Sequence, residues 1–376
     1  MNAASLEPRV GLSRRWSGAR RVADASAPGL RPLVTRRRLQ CLLGLLWLLD
    51  GLLQLQPSMF SAQFFGMMLR MGPAEPPSFV WDLGSRLEPL LTTHAALADG
   101  IFASLQLAIG LALVCGRLTR LALAASIPWA LAVWLLGESG AVFTPGANAL
   151  TGAPGAALVY ALAALLVWPR RGDAARAGSA VADSGALVRP LPELCWVALW
   201  LGTALLECES LNAMPILAGS EIANAANGGP GWMSAIDVHL GAAIGDHGAV
   251  FAAGAGIVQA VVGLSVLHRR TRRGALAAGA LVALAYGLVG QAFGGILSGG
   301  IDLLRSGATD PGTAPIVILV AASLWPRRAR RGAGAPAQTC TPPRLAPAMP
   351  AMATAATPAA STSASASAAR DQLPAA

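Results

Sequence analysis

The sequence predicts an all-α membrane protein of eight transmembrane helices, arranged as two tandem, parallel four-helix bundles. Three observations carry that prediction. The 376 residues are 54% hydrophobic and 12% charged, with a mean hydropathy of +0.55, against roughly 25% charged for a soluble domain. A set of tryptophan, proline, histidine and glutamine positions recurs at one fixed spacing. The arginines fall in blocks that long apolar runs separate.

Taken in order, residues 1–38 carry nine arginines and no apolar run. They predict a basic, disordered cytoplasmic arm and no cleavable signal peptide, so the first hydrophobic helix acts as an uncleaved anchor. The first repeat, 39–169, has apolar segments at about 39–56, 95–115, 118–137 and 153–168. A polar, Arg-bearing cytoplasmic linker, 170–192, leads to the second repeat, 193–326, with segments at about 193–208, 248–268, 274–293 and 311–325. The longer segments approach the ~20 residues that cross ~30 Å of hydrocarbon. The fourth of each repeat is short. Gly155 to Trp168 reaches only ~21 Å at ~1.5 Å per residue, so it either thins the bilayer or continues upstream into the Gly-rich segment. Pro154 and Pro311 suit a first helical turn, and Pro169 and Pro326 stop the helix. Residues 57–94 and 209–247 become long outer loops, with Phe60–Met71 suited to lie along the interface as an amphipathic helix. The Ala/Pro/Ser-rich tail, 327–376, lacks the apolar residues to fold.

The spacing is specific. Trp47-Leu48 recurs as Trp200-Leu201, Pro77 as Pro230, His94 as His247, Gln106 as Gln259 and Gly137 as Gly290, each pair 153 residues apart. Trp168-Pro169-Arg170-Arg171 recurs as Trp325-Pro326-Arg327-Arg328 at 157, so four residues are inserted after the third helix of the second half. Polar residues held in register across Ala- and Leu-rich helices point to a gene duplicated and fused in tandem.

An even number of helices gives both halves the same orientation, related by an axis along the membrane normal. On that topology the basic segments hold 25 arginines and 6 acids, the opposite side 3 arginines and 12 acids, and Asp50 lies inside the slab. The positive-inside rule then makes both termini cytoplasmic. The chain contains 28 arginines and no lysine, a bias of GC-rich bacterial genomes, and the expected location is the bacterial inner membrane. The net charge of +9 is thus a topological signal. Nucleic-acid binding is excluded, because no aromatic-studded basic face accompanies the charge. Cys41, Cys115, Cys195, Cys208 and Cys340 form no CxxC pair and no metal spacing, and are read as small apolar residues.

Polar groups within hydrocarbon are costly, and each is either a packing contact or part of a site. The candidates are Asp50, Gln54, Gln106 and Glu138 in the first half and Glu207, Gln259 and Gln291 in the second. They converge on a polar site in the outer leaflet half of each bundle, or they glue helices together and end them at water. Asp50 is either a proton or ligand group or an interfacial acid reaching water; Thr203 stands at its duplicate position. His94 and His247 open the second helices on the outer side, as proton relays or as ordinary helix-start residues. His239, Asp246 and His247 with Glu207, Glu209 and Glu221 are acidic enough for a weak cation site but match no metal motif. Haem is disfavoured because no histidine falls at a helix centre. Met59, Met67, Met68 and Met71 admit a Cu(I) reading, against which stands a lipid-facing Met/Phe stripe. Gly254-x-Gly256 and the Ala275–Ala280 run permit close helix approach. No phosphate loop, nucleophile triad or paired carboxylates across a cleft appear, so no catalytic residue is assigned.

The segment from Gln106 through Gly110, Gly116-Arg117-Leu118-Thr119-Arg120 and on to Leu123 resembles the second-to-third helix signature of the DoxX-like membrane proteins, small bacterial four-helix proteins. Gln259 to Ala278 repeats it more loosely, and the Trp47–Pro57 helix is similar to that of uncharacterised actinobacterial membrane proteins in this group. Members are linked to thiosulfate:quinone oxidation and to membrane redox complexes. The resemblance therefore implies two fused DoxX-like bundles and an accessory subunit of a quinone- or thiol-linked redox system, with quinone as the implied cofactor and redox proteins as partners. Where the family often has glutamate at the head of the signature, both repeats have glutamine. Two other classes stand beside this one: a small-molecule transporter, and a membrane scaffold without a ligand.

Overall fold

The computed structural model describes residues 34–70, 77–143, 147–169, 179–213, 222, 229–297 and 306–326. Most of the basic arm, the tail, the first part of the linker, Met71, Glu221 and Cys340 lie outside the described residues. Every regular element among them is helical. In chain order these are α1 (Arg36–Gln54), α2 (Ala62–Arg70), α3 (Ser78–Thr93), α4 (Ala95–Cys115), α5 (Thr119–Leu136), α6 (Ala156–Leu166), α7 (Leu191–Ala213), α8 (Gly231–Ile244), α9 (Gly248–Ser265), α10 (Arg272–Leu288) and α11 (Thr313–Leu324).

Four helical stretches are long and apolar enough to cross a membrane: Ala95–Cys115, Thr119–Phe143, Leu191–Glu209 and Gly231–Ser265. The chain is thus an all-helical membrane protein. The other four expected spans fall short for visible reasons. Helix α1 opens with three arginines, Arg36–Arg38, and carries Asp50, α10 opens with Arg272 and Arg273 and has 17 residues, and α6 and α11 have 11 and 12 residues.

Those two short helices form the centre of the molecule. They pack against each other, and eight residues of α6 and nine of α11 are buried, so neither presents a full lipid-facing side. The longer helices surround them and leave large apolar side chains exposed, among them Leu97, Leu121, Val250 and Leu281. The main apolar core runs through both halves, from Leu43 and Tyr160 to Trp196 and Leu324, with smaller clusters around Phe65 and around Ile222. The segment before α6 is made of turns and does not extend the helix upstream. Backbone outside a helix is tolerated at membrane depth only where protein or a water-filled cavity covers it, and Ala147, Ala149, Leu150 and Ala153 are indeed buried.

The halves use the same pairings. Helix α1 packs most extensively on α4, and α7 on α9; α5 packs on α6, and α10 on α11. The α1–α4 contact is a backbone-to-backbone approach, since a Cβ on Gly44 would stand 2.8 Å from the Gly110 carbonyl oxygen and one on Gly110 would stand 2.7 Å from that of Gly44. Small residues at a helix crossing permit this. Of the expected Gly254-x-Gly256 pair, Gly256 faces α7, but Gly254 has no neighbour within 4 Å of an added Cβ; the exposed side of α9 carries it.

Arginines bind helix ends at one end of the molecule. Arg36 donates to the carbonyls of Trp168 and Val181 and to the Ser184 hydroxyl, and Arg37 to those of Leu113 and Val114 at the end of α4. The last carbonyls of a helix lack intrahelical partners and carry the negative end of its dipole. Arg272 donates to Leu324 O at 3.0 Å and pairs with Glu193 at 2.8 Å.

Two stretches expected as outer loops contain helices, α3 and α8. In α3 the apolar residues are spaced at helical intervals around Asp82, Arg86 and Glu88, with Pro89 inside, a pattern too polar to register as a span and too interrupted to register as an amphipathic helix.

Candidate functional site: a polar cavity in the first half

Helix α1 places Trp47, Asp50 and Gln54 at intervals of three and four residues, on one face. All three are buried, Asp50 at 5% exposure. The Gly44–Gly110 approach and Gly51, whose added Cβ would stand 2.8 Å from the Leu107 side chain, draw this face onto α4. There Gln54 donates a hydrogen bond to Asp99 Oδ1, and Gln106 lies buried nearby.

Helix α5 ends just before Glu138, whose Oε1 accepts from the Ala157 N–H at 3.0 Å. The carboxylate caps the first turn of α6, the favourable end of the dipole for an anion. Gly155, at φ 104°, sits against it. A side chain there would stand 2.1 Å from Glu138 Oε2. Trp134 Nε1 ties the same corner by donating to Pro154 O at 2.7 Å. One turn into α6, Tyr160 is buried edge-on against Trp47, with ring centroids 4.9 Å apart.

The last wall comes from the other half. Gln56 donates to Ala308 O at 2.7 Å and accepts from Gly307 N at 2.7 Å. This two-bonded clamp brings Thr309 and Asp310 over the first bundle. Asp310 Oδ1 accepts from Gly312 N at 2.6 Å and Oδ2 from the Thr309 hydroxyl at 3.2 Å. Burial pushes the Asp310 carboxyl above its ordinary value, and these two bonds oppose that rise.

These groups enclose a cavity of about 340 Å³, lined by Trp47, Asp50, Gln54, Gln106, Glu138, Tyr160 and Asp310 and walled by apolar side chains. Phe64, Met67 and Met68 of α2 belong to that wall, so the Met/Phe stripe expected to face lipid partly closes the cavity instead. Among the described residues Trp47 Nε1, Gln106 Oε1, Trp129 Nε1 and Glu138 Oε2 find no hydrogen-bond partner, and the Tyr160 hydroxyl faces the Asp50 carboxyl. Buried polar atoms left unpaired cost roughly 1–3 kcal/mol each, and here they share one cavity. Among the described residues no arginine or histidine lines it.

A second cavity of about 450 Å³ opens beyond it, lined by Thr151, Gln291, Thr313 and a run of glycines. Glu138, Ala156 and Asp310 line both cavities.

The second half differs. Gln259 donates to Glu207 Oε1 and to the Tyr286 hydroxyl, both at 3.0 Å, and the Thr203 hydroxyl bonds back to Trp200 O at 3.0 Å. Only about 30 Å³ remains free beside Trp200, Thr203 and Tyr286, about the share of liquid volume of one water molecule.

The structure thus brings Asp50, Gln54, Gln106 and Glu138 together, pairs Glu207 with Gln259, and sets Gln291 in the outer cavity, where it accepts from the Thr313 hydroxyl at 2.9 Å and donates to Ala149 O at 2.9 Å. Asp50 is buried at the cavity wall. His94 and His247 stand exposed at the starts of α4 and α9, outside the cavity lining. Among the described residues no group of three metal-binding side chains forms. Sequence reasoning missed Asp99, Tyr160, Tyr286 and Asp310. The tyrosines carried a signal, because the chain has only two and each ends in a buried polar cluster.

No protein-family model, no curated protein and no solved structure matches this chain.

Proposed function

We propose that the chain is an eight-span protein of the bacterial inner membrane with cytoplasmic termini, built from two tandem DoxX-like four-helix units, and that it serves a membrane redox system as a quinone-binding accessory subunit. The equivalent helix pairings in the two halves and the shared arginine-rich end support the tandem, parallel arrangement. One observation carries the ligand: the cavity of about 340 Å³ whose apolar wall surrounds unpartnered donors and acceptors. Ligand pockets have this composition, mostly apolar with a few convergent polar groups.

The residues fit a quinone headgroup in both redox forms. Trp47 Nε1 and the Tyr160 hydroxyl donate to ring carbonyls, while Asp50, Gln106 and Glu138 accept from ring hydroxyls. A bound quinone supplies a two-electron, two-proton couple. The protein orients the ring between α1, α4 and α6, excludes water with α2, and holds protons on Asp50 and Glu138. Nothing in the lining carries out bond-breaking chemistry on a second substrate, which favours an accessory role.

Solvent extraction of the purified protein tests this reading. Quinone recovered near one equivalent, and lost in a Trp47→Phe/Asp50→Asn double variant that keeps its melting profile, is the expected result. Quinone at the level of bulk lipid in both proteins overturns it. The outer cavity that adjoins the site favours a small-molecule transporter as the second reading; thermal stabilisation by a polar solute and none by quinone would select it.

A further inference from the structure

We infer that Glu138 and Asp310 form a proton passage between the membrane cavity and the outer cavity, with Gln56 as the residue that positions Asp310. Of the acidic side chains among the described residues, these two line both spaces. Asp50, 5% exposed and facing the Tyr160 hydroxyl, lies in the inner cavity. The three carboxyls are close enough to interact electrostatically, and each therefore responds to the protonation of the others.

The titratable groups facing the passage are few. Helix α1 supplies Asp50, the end of α5 supplies Glu138, α6 supplies Tyr160 and the loop before α11 supplies Asp310; α4 adds Asp99, bonded to Gln54, behind them. Helices α2 and α3 contribute apolar side chains alone to the lining. Among the described residues no basic side chain lines the cavity, so a proton is what neutralises these carboxylates there. Transfer is a simple exchange: an O–H bond on Glu138 breaks, one forms on Asp310, and Asp310 releases its proton to water in the outer cavity, with no change of oxidation state. The route exists because the halves are fused. The second half's loop is held over the first half's cavity by the paired bonds to Gln56, whereas the first half's matching loop offers the second half's small cavity Ala153, four inserted residues and one repeat before Asp310.

As an exit for protons leaving a bound quinol the passage rests on the reading above, so its test uses quinone-free protein and fails separately. Infrared spectra of the detergent-solubilised full chain, perfused from H2O to D2O, resolve the exchange of the buried protonated carboxyl, which Asp50→Asn identifies by deleting its band. Glu138→Gln and Asp310→Asn keep the acceptors for Ala157 and Gly312 and therefore the local fold. Both are expected to slow the Asp50 exchange by about 10²-fold, the scale of a lost acid–base group, with amide exchange unchanged and Glu138→Asp restoring much of the rate. Gln56→Leu is expected to slow it as Asp310→Asn does. Unchanged Asp50 exchange in Glu138→Gln and Asp310→Asn would overturn the proposal, as would slowing that simply follows amide exchange.

Discussion

The two halves present the same helix positions to two different ends. In the first, Asp50, Gln54 and Gln106 line open space; in the second, the residues 153 positions later are Thr203, Glu207 and Gln259, and the space beside Thr203 is about 30 Å³. A single residue does much of the closing. Tyr286 stands where the first half has Val133, a wall residue of the cavity, and its hydroxyl accepts from Gln259 Nε2. Among the described residues Trp47 Nε1 and Gln106 Oε1 lack partners in the first half, as their counterparts Trp200 Nε1 and Gln259 Oε1 do in the second; the halves differ in the space around these groups and in the Glu207–Gln259–Tyr286 bonds, which the first half does not form. The lesson is that a mid-membrane glutamine has no fixed role; what decides it is whether a neighbour reaches it.

The same contrast holds at the opposite end, and there the largest effect is expected. The carbonyl that ends the fourth helix is satisfied by Gln40 in the first half, at 2.9 Å on Val167 O, and by Arg272, held by Glu193, in the second. Arg272→Met leaves Glu193 buried with Arg189 as its remaining ion-pair partner, and should cost about 3–5 kcal/mol, the scale for breaking a buried pair. Gln40→Met removes a neutral bond and should cost about 1–3 kcal/mol. Denaturant unfolding of the two variants in detergent measures the difference, and equal losses would erase this part of the contrast.

The glycine contacts come next. Gly110→Ala forces a Cβ to 2.7 Å from backbone oxygen, whereas at Gly263, its counterpart 153 residues on, the nearest atom is the Trp200 side chain at 3.0 Å. Overpacking costs about 1–3 kcal/mol, and Gly110→Ala should stand at the upper end of that range and Gly263→Ala at the lower end by the same assay. Tyr286→Phe should be milder still, about 0.6 kcal/mol, the mean for an interhelical hydrogen bond, and should leave ligand binding in the first half untouched.

The smallest effect concerns pH. Burial raises the Asp310 carboxyl above its ordinary 3.8, so between those values the folded chain keeps a proton that the unfolded chain releases. Its contribution is complete below the ordinary value and is lost as pH rises through the raised one. The melting temperature should therefore fall over that window, and Asp310→Asn should flatten the slope. A steeper slope in the variant would reverse the sign argued here.

Much of this was legible in the sequence. The starts of α4 and α9 follow from where His94 and His247 precede apolar runs, whereas Pro154 and Pro311, expected in a first helical turn, stand one residue before the N-caps Gly155 and Gly312 of α6 and α11. The candidates Asp50, Gln54, Gln106 and Glu138 were visible as polar residues with no water to face. Two things were not. Nothing local marks Asp310 as a wall of a cavity in the other half, because its place depends on the Gln56 clamp about 250 residues away in sequence. Nor does the shortness of α6 explain itself until α11 is seen beside it, since a central helix has no lipid thickness to match.

The account turns on one cavity being open and its twin closed. Titrating the purified chain with a short-chain benzoquinone and following tryptophan fluorescence tests this directly, since Trp47 and Trp129 line the open cavity. Saturable quenching in the wild type, abolished in a folded Val133→Tyr variant that copies the second half's closure, is the predicted result. Quenching of equal amplitude and midpoint in both proteins would contradict it.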